Sequence, residues 1–143
     1  MGYVVGGAAS MIVKRSTLGR PLTHNEFDGN FNELNRKKLQ RRASVRTTTS
    51  LLAPSTAYNF YDITALSSDL IIAQPVGTFE DGTQMLYKFK DDGTARAISW
   101  HATFRGVGTD LPQLTRPNKV MYVGAVFNSA DAIWDVVAVA ALN

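Results

Sequence analysis

The sequence predicts a mainly β protein: a short N-terminal arm and one helix, then an antiparallel β-sandwich or small barrel. Three observations predict it. From residue 44 onward, short apolar runs alternate with clusters of Gly, Pro, Asn and Asp, which is strand spacing and not βαβ spacing. Only one helix start signal stands out, near Thr23. The 143 residues are 45% hydrophobic, enough for one ordinary domain with its own core. The expected division is an arm and attachment helix over 1–43 and a β-rich head over 44–143.

Residues 1–13, MGYVVGGAASMIV, read as a structural arm. A signal peptide carries its positive charge before the apolar run, whereas Lys14 and Arg15 follow it here. The myristoylation pattern needs Ser or Thr at position 6, where this chain has Gly6. Val4, Val5, Ile12 and Val13 are placed to pair as short strands, and burial against another subunit would favour such an arm.

Thr23 is a good N-cap, and Glu26 three residues on completes a capping box. Leu22 and Phe27 occupy the positions of a hydrophobic staple. Phe27, Phe31 and Leu34 follow at i, i+4 and i+7, on one helical face. The helix fades between Lys37 and Arg42. Its stripe is narrow, so it needs a partner. Leu22, Thr23, Glu26, Phe27, Phe31 and Leu34 are therefore the candidate oligomerisation and attachment residues.

The strands expected next are Tyr58–Leu66, with Phe60 and Ile63 inward, then Leu70–Ala73, Gln84–Lys90, Ala95–His101, Val120–Phe127 and Ile133–Ala141. Six to eight strands are expected in all. Met85, Tyr87 and Phe89 alternate with charged Lys88 and Lys90. Asp91-Asp92-Gly93 reads as a hairpin turn. Gly106, Gly108, Pro112 and Pro117 mark a long loop. Several strands are apolar on both faces, as at Ala138–Leu142, which suggests burial of one face by another subunit.

Little points to catalysis. Of the two histidines, His24 opens the helix and His101 ends a strand, with no nucleophile or metal partner in view. The pairs Glu80-Asp81 and Asp91-Asp92 precede Gly, the ordinary composition of a turn. Carboxylate glycosidase chemistry would need a groove that the sequence does not show. There are no cysteines and no run of roughly 18 apolar residues. No enzymatic activity, cofactor, metal or membrane insertion is expected.

Charge is split. Residues 1–46 hold nine Lys/Arg and three Asp/Glu, net +6, and residues 47–143 hold six and nine, net −3. Arg36-Lys37-Lys38 and Arg41-Arg42 suit a helix C-terminus. No aromatic residue interleaves them, so docking on protein is expected and nucleic acid is not. Trp100, Tyr122 and Trp134 lie in strands, where core packing is expected over sugar stacking. A receptor contact fits the 103–115 loop better, through Thr103, Phe104, Arg105, Asp110 and Gln113.

The segment Lys14–Leu34 resembles an N-terminal element of tailed-bacteriophage virion proteins, especially short tail fibres and appendages. Pro21, Leu22, Thr23, Glu26, Asp28, Asn30, Phe31 and Leu34 occupy its characteristic places. The run Tyr58–Ala140, with Asp92-Gly93-Thr94-Ala95-Arg96 and Trp134-Asp135 inside it, resembles a C-terminal module of such proteins. The resemblance implies a trimeric virion component assembled in the host cytoplasm. Its N-terminus would anchor it to a baseplate, tail or major capsid protein, and its head could bind a host-surface glycan. The long shaft of a full fibre is absent from this sequence, and the same parts would serve a capsid decoration (cement) protein.

Overall fold

In a computed structural model the described residues are 19–39 and 42–143, the side chains of 33–39 excepted. The arm expected over 1–13 lies outside them. The chain forms two compact units, Met1–Gln40 and Arg41–Asn143.

The first unit contains helix α1, His24–Leu39. Its start is the expected capping box. Glu26 N–H donates to Thr23 Oγ1 at 3.2 Å, and Thr23 N–H donates to Glu26 Oε2 at 2.9 Å. Phe27 N–H then donates to Thr23 O at 2.9 Å, the first bond of the helical ladder.

The second unit is all β. Its strands are β1 (Ala43–Arg46), β2 (Leu51–Leu52), β3 (Phe60–Leu66), β4 (Leu70–Ile72), β5 (Gln84–Asp91), β6 (Ile98–Trp100), β7 (Phe104–Gly106), β8 (Val120–Asn128) and β9 (Ile133–Ala141). A six-stranded sheet has the order β1-β3-β5-β8-β9-β7, and a three-stranded sheet the order β2-β4-β6. Residues from both sheets fill one core, giving the expected sandwich-like, mainly β fold.

The sheets are mixed, not antiparallel. β1, β3 and β5 are successively parallel, as are β2, β4 and β6, and β7 is parallel to β9. Among the described strands only the pairs β5–β8 and β8–β9 are antiparallel. From Ala43 to Trp100 the chain alternates between sheets, and each strand pairs with the one two places earlier. A parallel pair needs a crossover. Here a strand in the opposite sheet supplies it, so the first six strands form three turns of a coil.

This coil overturns the hairpin expected at Asp91-Asp92-Gly93. The turn exists, with Gly93 at φ +106°, but β5 pairs with β3 and β8 while β6 joins the other sheet. At this turn Asp91 is 2% exposed. Its carboxylate accepts from Thr115 Oγ1 at 2.6 Å, Asn118 N–H at 2.7 Å and Gly93 N–H at 3.0 Å. The side chain read as turn surface is an internal tie to the 115–118 segment.

The core alternates as β5 predicts: Met85, Tyr87 and Phe89 are buried. Tyr87 stacks on Tyr61 (centroids 5.4 Å apart) and meets Trp100 edge-on at 5.7 Å. Burial pushes the Tyr87 hydroxyl well above the usual tyrosine range. β8 and β9 form an antiparallel hairpin, with Asn128 opposite Ile133. Asn128 Oδ1 caps its turn by accepting from Ala130 N–H at 3.1 Å.

Candidate functional site

The candidate attachment residues run from Leu22 and Thr23, just before α1, through Glu26, Phe27 and Phe31 to Leu34 within it. Glu26 is 5% exposed, held by Arg20 as well as by Thr23. Arg20 Nη2 donates to Oε1 at 2.6 Å and Nη1 to Oε2 at 3.0 Å, a two-pronged clamp. The Arg20 guanidinium, then the Thr23 N–H and hydroxyl, hold the Glu26 carboxyl down at about 2 against the opposing effect of desolvation. Sequence reasoning named Thr23 and Glu26 but missed Arg20. The available signal was a cation just ahead of the Pro-Leu-Thr step, within reach of the N3 carboxylate.

Phe27 and Phe31 share a face, stacked with centroids 6.5 Å apart. They are 59% and 58% exposed. Leu22 is half-buried. The Leu34 backbone is helical, and its side chain falls outside the described residues. The structure thus fixes the helix start and leaves two aromatic rings facing solvent.

The suggested receptor residues separate. The 103–115 segment is not all loop, because it contains β7. Phe104 is 5% exposed and packs against Trp100 at 5.1 Å, so it is core and not contact surface. Arg105 is exposed and tied to Asp131 at 3.0 Å and Asp135 at 2.7 Å. Thr103 is half-buried, while Asp110 and Gln113 are exposed. Of the three aromatics assigned to packing, Trp134 is buried and Trp100 half-buried, but Tyr122 is 41% exposed.

Tyr122 belongs to the outer face of the six-stranded sheet, with Leu86 and Val137, which are also exposed. β9 carries a bulge there: Gly124 pairs with Ala138 and Ala125 with Val136, leaving Val137 between them. Gly124 sits in a central strand without a left-handed φ, and a Cβ added to it would meet only Ala138 Cβ, at 3.8 Å. Neither conformation nor crowding therefore requires glycine. Its missing side chain deepens an open cleft of about 460 Å³ whose lining includes Asn59, Gln84, Leu86 and Val137.

These surfaces can bury apolar area but carry no arranged chemistry. Among the described residues no group of three or more His, Cys, Asp or Glu could hold a metal, and no helix is long and apolar enough to cross a membrane. No protein-family model, curated protein or solved structure matches the chain.

Proposed function

We propose that the protein is a non-enzymatic structural component of a tailed-phage virion, a short trimeric tail fibre or appendage. Residues 1–43 anchor it to a baseplate or tail protein, and residues 44–143 form its head, which can contact a host-surface glycan. The observation that carries this reading is the exposed, stacked Phe27–Phe31 pair on a helix whose start is rigidly fixed. Two half-exposed rings waste apolar surface in a lone helix. Burying them against two further copies would contribute roughly 1–2 kcal/mol per ring. The outer sheet face at Leu86, Tyr122 and Val137 supports assembly in the same way.

Locating the chain in purified particles tests the proposal. A few copies at the tail are expected. Many copies spread over the shell would replace the tail reading with capsid decoration. Absence from particles would end both.

A further inference from the structure

Among the described strands the outermost are β1 and β7 in the six-stranded sheet and β2 and β6 in the three-stranded one. An edge strand offers its unpaired N–H and C=O groups as a template for another chain, and folded proteins usually cover or blunt it. Three of these edges are engaged. At β2, Ile71 N–H donates to Ser50 O and Ala73 N–H to Leu52 O, so Leu51 turns its main chain outward. The Thr49 hydroxyl takes up both of its groups, donating to Leu51 O at 2.7 Å and accepting from Leu51 N–H at 3.3 Å. The 113–115 segment covers β6: Ile98 N–H donates to Gln113 O at 2.9 Å, and Ala97 bridges to Leu114. At β7, Phe104 N–H donates to His101 O at 3.0 Å.

The β1 edge is different. Phe60 N–H donates to Arg42 O at 3.1 Å, and Ala43–Arg46 then run parallel to Phe60–Ile63. In a parallel ladder alternate residues bond to the partner strand. Arg42, Ser44 and Arg46 therefore face β3, while Ala43 and Val45 turn their N–H and C=O groups out from the edge. Those outward groups have no hydrogen-bond partner among the described residues. Val45 is 63% exposed, and Arg42 and Arg46 are exposed as well. The other described arginines of the β unit each hold a side-chain partner: Arg96 on Asp92, Arg105 on Asp131 and Asp135, Arg116 on Asn143. Arg42 and Arg46, on either side of the open edge, hold no carboxylate among the described residues.

We propose that the open edge of β1 pairs with an extended acidic segment of a partner protein, which adds a strand to the six-stranded sheet. Main-chain bonds to Ala43 and Val45 make the pairing, and side chains on alternate positions make the choice of partner. On the face of Arg42 and Arg46, acidic residues meet two cations that lack a carboxylate. On the face of Val45 the register neighbour is Asp62, itself tied to Lys88 at 3.5 Å, so an apolar residue fits there and an acidic one does not. Charge also selects against a second copy as the occupant. Pairing β1 with itself would bring the arginines of both chains together along one edge. The proposal concerns the β unit and rests on neither the trimer nor the virion reading.

The test is titration of the full-length ¹⁵N-labelled protein with the blocked pentapeptide acetyl-Glu-Val-Glu-Val-Glu-amide, following the main-chain amides of Ala43 and Val45. Both peaks are expected to move downfield and saturate, and the matching lysine peptide, acetyl-Lys-Val-Lys-Val-Lys-amide, should bind more weakly. Val45→Pro deletes the outward N–H without touching the β1–β3 ladder and should abolish binding. Arg46→Glu, at an exposed position, should weaken binding about fivefold, and it decides the matter if Val45→Pro misfolds. Amides of Ala43 and Val45 that stay in place up to about 10 mM peptide, equal binding of the lysine peptide, or unchanged affinity in Arg46→Glu would each overturn the proposal. Movement of the same amides when the protein alone is concentrated would put a second copy on the edge and overturn it too.

Discussion

Glu26 shows how one side chain sets a boundary. Its carboxylate takes four donated contacts, two from Arg20 and two from Thr23, and so fixes where α1 begins. Because its folded pKa of about 2 lies below the ordinary 4.5, its contribution is complete above about 4.5 and is lost as pH falls toward 2. An NMR titration of the Glu26 carboxyl should give a midpoint near 2, and an ordinary midpoint would show that the clamp does not form. Asp91 does comparable work inside the β unit. Burial acts against its charge, but the hydrogen bonds from Thr115, Asn118 and Gly93 outweigh it and hold the carboxyl below the usual 3.8. Its stabilisation is therefore present above about pH 4 and lost as acid protonates it. Asp91→Ala strands three donors and should cost about 3 kcal/mol by urea denaturation. A cost within measurement error would mean that the tie to Thr115 and Asn118 is incidental.

Among the elements, helix α1 was the most legible in sequence. Thr23, Glu26 and the phenylalanine spacing are local signals, and local hydrogen bonds decide a helix start. The strands with clean alternation, β5 above all, were legible for the same reason. Short β1, β2 and β7 were not, because two to four residues carry no measurable period and long-range pairing holds them in place. Phe104 illustrates this: beside Arg105 and Gly106 it reads as loop, and only its pairing opposite Trp134 on β9 makes it core. Partner choice was also invisible, since Asp-Asp-Gly forms a turn whether or not the next strand pairs with the last. On β8 the account predicts that Gly124→Ala stabilises the isolated protein by roughly 0.5–1 kcal/mol, because the strand has room for a Cβ and loses backbone freedom in the unfolded chain. A lowered melting temperature would show that the fold itself needs the hollow.

At the scale of the whole molecule, sequence patterning gave the class and not the topology. Apolar runs between turn residues say sandwich, but they cannot say that successive strands alternate between sheets. The candidate site divides in the same way. The helix face followed from spacing, whereas Tyr122, Gly124 and Val137 come together only through the β8–β9 register and its bulge. The charge split, net +6 over residues 1–46 and −3 over 47–143, suits a chain whose N-terminal part docks and whose β part faces outward. The central claim is that the Phe27–Phe31 face drives self-association into a trimer. Sedimentation equilibrium of the intact protein and of Phe31→Asp tests it most directly. The account predicts three times the 15.6 kDa chain mass for the intact protein, and a monomer with an unchanged β-sheet circular dichroism signal for Phe31→Asp. A monomeric intact protein, or a Phe31→Asp variant that still forms trimers, would contradict it.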